Sequence, residues 1–373
     1  MAIIEEEFLE LTKGLDIKSF WKKNDLCWIC STSKPRAPVS FSPDDHWLFS
    51  FLNVKDTISY YKDKTYRNRL HKEANTILNE YIGKKFFNED TLENSPKRIE
   101  NLFNCEFKYT ENSTPWLVPA TSKPEEFKEI LDKAEKTEIE KWAITEEFKK
   151  EWELNKKNNK PLPKLGTGSR GPATIMTSVL SPETFFYWTF DYPELLIRFR
   201  EILTNKMIEL NKFLRKFSNN NEKGWWITDD NCALFNPELY EIYCMPVLKK
   251  VLSVFAPKKS RRYQHSDSSM AHLLDHQKRL GINAVNYGPD IDVKLIREKM
   301  KDAWIQGHTP PLLLLNGKPE EIENRIYQDF IKAGLTGRME ISTAGSLAAG
   351  TGVGRMRFFM LCVQKLCKYR VKK

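Results

Sequence analysis

The alternation of strand-like and helix-like segments predicts an α/β fold, and its favoured form is a (β/α)8 TIM barrel with N-terminal helical additions. Three observations lead there. Five strand–helix units follow one another between residues 225 and 369. No G-x-G-x-x-G fingerprint follows a strand at a helix start, as a dinucleotide-binding open sheet would carry. Polar residues of catalytic type stand just after the strand segments, where a barrel keeps its chemistry.

The units can be justified in order. Residues 225–228 (WWIT) are β-formers and read as a strand. Residues 237–255 read as a helix: Asn236 suits the N-cap, Pro237 the first turn and Glu238 the dipole. A strand at 262–265 precedes a helix at 271–280 that Gly281 stops. A strand at 283–286 precedes a helix near 293–300. A strand at 303–307 precedes a helix at 320–333, stopped by Gly334, and a strand at 339–343 precedes a closing helix at 353–369. Short connections imply parallel strands and right-handed crossovers, which an open sheet and a closed barrel both satisfy. Upstream, 38–41 and 116–119 read as strands and 56–81 and 193–217 as long helices. Residues 165–177 read as a strand end with a glycine-rich loop, and 149–164 as a polar surface excursion. The expectation is one barrel domain over residues 1–373, with 1–35 and about 120–160 as peripheral additions.

Composition narrows the class. Apolar residues make up 40% and aromatics 12% of 373 residues, enough for a sizeable core. No run approaches the ~18 apolar residues of a membrane span. The acidic opening MAIIEEEFLELTKG does not read as a signal peptide, so the cytoplasm is expected. Seven irregularly spaced cysteines do not suit a secreted disulfide framework. Cys27 and Cys30 have C-x-x-C spacing with no second pair, and read as buried thiols. The net charge of +9 is mostly interleaved with acids, as in 125–142, so no nucleic-acid partner is expected. The basic clusters at 258–262 and 365–373 read first as a solvated loop and tail, and otherwise as a dock for an acidic protein or ligand. Gly350, Gly352 and Gly354 either form a tight turn or seat a phosphate or carboxylate on helix-start amides. His272 and His276 sit at i, i+4 without a third ligand and read as a helix face; His71 receives no role.

The strand ends supply the site. Asp229-Asp230-Asn231, His265-Ser266-Asp267, Asn286 and His308 each follow a predicted strand, as His46 and Arg170 follow earlier ones. Adjacent carboxylates on a strand point opposite ways, so at most one of Asp229 and Asp230 faces the barrel axis, and either can cap the following helix. His265 and Asp267, two apart, share a face. His265, Asp267 and Asp230 are the expected catalytic residues. Arg170, Asn231, Tyr263, Asn286, His46 and His308 are the expected substrate-binding residues.

These segments carry a likeness. Phe41 to Trp47, Gly166 to Thr174, Asp229 to Leu234, Tyr263 to Pro289 and Ser342 to Ser346 resemble the uroporphyrinogen decarboxylase superfamily, which shares a (β/α)8 barrel. Its decarboxylase branch carries an R-Q-A-G-R loop that this chain lacks. Its methyltransferase branch holds zinc on H-x-C and a later cysteine. His265-Ser266-Asp267 falls on the H-x-C position with Asp267 replacing the thiolate, and Ala344 falls near the later cysteine. The resemblance implies zinc on His265 and Asp267, in an oxygen-rich site suited to a harder leaving atom. The rival reading is a hydrogen-bonding pair in which Asp267 accepts and His265 moves protons. The implied reaction is methyl transfer between a small methylated substrate, O-methyl or aromatic, and a corrinoid protein. Cobalamin would come only through that partner, since the nearest D-x-H-x-x-G string ends at Phe49. The alternatives are a metal-free decarboxylase or lyase, with Arg170 on the carboxylate, and a non-enzymatic binding barrel.

Overall fold

The computed structural model describes residues 2–28 and 33–369, so Cys30 and the end of the basic tail lie outside the described residues. The chain divides into two compact units. One consists of Leu92–Tyr109 and Pro115–Ile282; the other of Met1–Thr91, Thr110–Thr114 and Asn283–Lys373.

The unit of Leu92–Tyr109 and Pro115–Ile282 begins with an antiparallel pair, β1 (Glu106–Lys108) and β2 (Trp116–Val118). The segment expected as a strand at 116–119 therefore pairs antiparallel. Three parallel strands follow: β3 (Gly168–Arg170), β4 (Gly224–Thr228) and β5 (Arg261–Ser266). Their register aligns Arg170 with Thr228 and Thr228 with His265, so three carboxyl ends finish together. Glycine makes the fit possible: a Cβ on Gly168 would lie 2.3 Å from the Trp226 ring.

Helices Pro172–Leu180, Pro182–Asp191 and Pro193–Phe217 connect β3 to β4. Each opens on a proline, whose missing N–H costs nothing in the first turn. The longest buries Leu196, Phe199, Leu203 and Met207 along one stripe, with Phe199 edge-on to Phe103 and Phe127. The helix expected at 237–255 forms with a π turn at Tyr240–Cys244. Pro246 cannot donate to the Ile242 carbonyl, and Arg200 Nη1 supplies that bond at 2.9 Å. The first half of 149–164 is the end of a helix, Glu146–Lys157, because Phe148 and Trp152 bury on one face.

The second unit carries β6 (Ala284–Tyr287), β7 (Trp304–Gln306) and β8 (Met339–Glu340), also parallel. Bridges Thr309–Thr343 and Val39–Ile341 extend this ladder, so 38–41 contributes a single bridge and no full strand. The long helix expected at 56–81 is two, Thr57–Lys62 and Lys64–Tyr81. Asp63 breaks it, because its carboxylate accepts from the Thr65 and Tyr66 amides and starts a new helix. The glycine-rich turn at 350–354 does seat a carboxylate, and it is the chain's own. Glu5 accepts from the Gly352 and Arg355 amides at 3.1 and 3.0 Å, at the start of the helix Val353–Leu366. A Cβ on Gly352 would sit 2.6 Å from that carboxylate. Burial pushes the Glu5 carboxyl up from its ordinary value. Among the described residues no helix is long and apolar enough to cross a membrane.

Candidate active site

The aligned ends of β4 and β5 bring Asp230, His265 and Asp267 together, with one ligand-type atom of each within 4.8 Å of the others. His265 Nε2 lies 3.5 Å from Asp267 Oδ1. Asp230 Oδ1 accepts from the Asp267 amide at 2.8 Å, and the Asp230 carbonyl accepts from the Ser268 hydroxyl. Two of the three side chains are half-buried and Asp267 is exposed, so the cluster opens to solvent on one side.

The neighbouring carboxylate takes a different part. Asp229 is fully buried. Its Oδ1 accepts from the Thr174 amide at 2.8 Å, in the first turn of the helix Pro172–Leu180. It therefore caps the helix after β3, and not the following helix as the sequence suggested. Only glycine fits beneath it, since a Cβ on Gly171 would lie 2.1 Å from the Asp229 carboxylate carbon. The Asp229 amide donates to the His265 carbonyl at 3.0 Å, tying the two strand ends. Burial pushes its carboxyl up to about 7, against the lowering effect of Thr174.

Asn231 is braced by the same helix. Its amide donates to Thr174 Oγ1 at 3.2 Å and its Nδ2 to Thr177 Oγ1 at 2.8 Å. That leaves its side-chain oxygen as an acceptor without a partner among the described residues. Thr174 and Thr177 were not anticipated. Their signal was the G-P-A-T-x-x-T string, a helix start with hydroxyls three apart. Tyr263 is half-buried, and the Arg261 guanidinium lies 5.3 Å from its ring centre. Arg170 gives Nη1 to Glu100 at 3.2 Å and Nη2 to Ser178 at 3.1 Å. Glu100 is buried, so this cation answers a charge of the chain's own.

The remaining expected residues belong to the other unit, where the structure commits them differently. Asn286 Nδ2 donates to the Gln306 and Thr343 carbonyls, and its Oδ1 accepts from the Gly345 amide at 3.0 Å. His308 is fully buried, with Nε2 donating to the Ile291 carbonyl at 2.6 Å. Burial pushes its imidazole down to about 4, so it is neutral. A substrate-binding role for His308 does not match that enclosure. His46 is exposed on the first turn of the helix Asp45–Leu52. His272 and His276 have separate partners, the Phe235 carbonyl and Glu241.

A family model described as uroporphyrinogen decarboxylase (URO-D) matches residues 99–365, well over half of the chain. The chain belongs to this family. The family's (β/α)8 fold agrees with the parallel strands and intervening helices of each unit. Within the family the likeness runs toward methyltransferases. The methylcobamide:CoM methyltransferase of Methanosarcina mazei is 29% identical over 91 residues, 24% of this chain and 27% of that relative. Its counterpart in Methanosarcina acetivorans is 26% identical over 90 residues, 24% of this chain and 26% of that relative. The matched stretch thus spans about a quarter of the length of either curated relative. A solved methyltransferase from Methanosarcina mazei superposes with a TM-score of 0.59 at 14% identity, covering 90% of this chain and 96% of that one. That is a likeness of fold.

The donor set fits zinc. One imidazole nitrogen and two carboxylates would supply three protein ligands, the number that catalytic zinc takes while keeping a fourth position open. Two atoms each bound to a tetrahedral ion at 2.0–2.1 Å lie about 3.4 Å apart, close to the 3.5 Å between His265 and Asp267, while the Asp230 carboxylate lies within 4.8 Å of both. Asp230 joins the pair that the sequence supplied.

Proposed function

We propose that this chain is a cytoplasmic methyltransferase that moves a methyl group between a small methylated substrate and a separate corrinoid protein. The observation that carries this reading is the Asp230, His265 and Asp267 cluster at the strand ends of a chain whose curated relatives are methylcobamide:CoM methyltransferases.

In this reading the three side chains hold zinc, and bound zinc would act as a Lewis acid on the atom that exchanges the methyl group. The chain's own groups do the rest. Asp229 fixes the β4 end against the helix Pro172–Leu180 and the His265 backbone, so Asp230 and His265 keep one spacing. Asn231, locked by two threonines, presents its oxygen to substrate. Two oxygens and one nitrogen form a harder donor set than thiolates, which favours a methyl group on an ether or hydroxyl oxygen. The lyase alternative loses its carboxylate grip, because Arg170 is paired with Glu100.

The test is incubation of purified protein with methylcobalamin-loaded corrinoid protein and a panel of hydroxyl and phenol acceptors. Acceptor-dependent conversion of the methyl-cobalt spectrum is the expected result. No conversion with any acceptor, together with no demethylation of the corresponding ethers, would count against methyl transfer.

A further inference from the structure

We propose that the pocket between the helix Ile17–Asp25 and the Arg36–Lys368 bridge binds a small oxyanion, a phosphate or a carboxylate. The pocket measures about 230 Å³ and lies wholly within the unit of β6, β7 and β8. Ser19, Lys23, Arg36, Gln364 and Lys368 line it with Phe20 and a proline, so among the described residues its walls hold three cations and no carboxylate.

The backbone builds this convergence. Ser19 and Lys23 sit four apart on one helix face. Arg36 and Lys368 face each other across an antiparallel bridge, held by Ala37 N–H to the Cys367 carbonyl at 2.9 Å and Tyr369 N–H to the Pro35 carbonyl at 3.2 Å. Three residues beyond Arg36, Val39 pairs parallel with Ile341. The pocket therefore lies toward the amino ends of this unit's strands, whereas Asn286 and His308 lie toward the carboxyl ends.

Arg36 is the observation that asks for a ligand. Its residue is 5% exposed. Nη1 donates to Asn24 Oδ1 at 3.0 Å and to the Ala37 carbonyl at 2.8 Å, and the guanidinium lies 4.4 Å from the Phe20 ring centre. These partners are all neutral. Nη2 is buried without a hydrogen-bond partner, and no carboxylate pairs with Arg36 among the described residues. A guanidinium stays charged, and a buried charge without a counter-ion is costly. An anion at the pocket mouth takes direct contacts from the mobile ammoniums of Lys23 and Lys368. It also lies in the field of the fixed guanidinium beneath, which water screens little. The volume admits phosphate or a short carboxylate.

Isothermal titration and thermal melting with sodium phosphate and sodium acetate, against sodium chloride at matched ionic strength, test this. One phosphate or acetate per chain and a higher melting temperature than in chloride are expected. Lys23 and Lys368 are exposed, so a Lys23→Ala, Lys368→Ala double variant should fold normally and bind about tenfold or more weakly, the loss of ~1.4 kcal/mol or more of charged contact. Arg36→Met should abolish binding; should it fail to fold, the lysine variant decides. Equal stabilisation by phosphate, acetate and chloride, or unchanged affinity in the lysine variant, would overturn the proposal.

Discussion

The strand ends of the two units each carry a histidine beside other polar side chains and use them in opposite ways. At the ends of β4 and β5, the polar side chains of Asp230, His265 and Asp267 face one another and open to solvent. At the ends of β6 and β7, Asn286 and His308 are enclosed and spend their donors on backbone carbonyls. The difference is one of local demand. A buried strand end leaves carbonyls and amides that must be paired, and an amide or imidazole side chain pairs them. Where Asp229, Thr174 and Thr177 already meet that demand, the adjacent Asp230 and Asn231 keep atoms for a ligand.

The comparison predicts how the two ends respond to substitution. His265→Ala or Asp230→Ala should lower kcat/KM about 10³-fold, the several kcal/mol a Lewis-acid site supplies, while the melting temperature changes little. An undiminished rate would remove the distinction between the two ends. Asn286→Ala should act the other way round. It removes a partner from the Gly345 amide and from two carbonyls, so a loss of about 3 kcal/mol or more in denaturant unfolding is expected, at about 1–3 kcal/mol per stranded buried group.

A smaller effect sharpens the picture of the β7 end. Burial pushes Asp329 up to about 6 and His308 down to about 4. Between pH 3.8 and 6 the folded protein holds the Asp329 proton more tightly than the unfolded chain, so this contribution to stability falls as pH rises. Between pH 4 and 6.5 the unfolded chain protonates His308 more readily, so that contribution falls as pH drops. The two slopes oppose each other in the native protein. Asp329→Asn removes the first, and the unfolding free energy should then climb from pH 4 to 6.5, by as much as ~3 kcal/mol. A flat profile in that variant would contradict a neutral, enclosed His308.

Much of the fold was legible because period and punctuation agree from residue 225 onward. Strand-forming triplets and quartets alternate with proline-opened and glycine-stopped helices there. The start of the chain was less legible, since a capping aspartate such as Asp63 breaks a helix without disturbing its apolar period. The pairing of His265 with Asp267 could be read from their spacing. The addition of Asp230 could not, because it depends on the register of β4 against β5. Nor could spacing separate Asn286 and His308 from the open cluster, since enclosure is a tertiary property. Arg170 shows the same limit: its partner Glu100 lies 70 residues away in the chain.

The most direct test is the metal content of purified protein, measured by elemental analysis in the native chain and in Asp230→Ala, His265→Ala, Asp267→Ala and Asn286→Ala. The account predicts about one zinc per chain, lost in the three cluster variants and kept in Asn286→Ala. Zinc retained in the cluster variants, or absent from native protein after incubation with the metal, would contradict it.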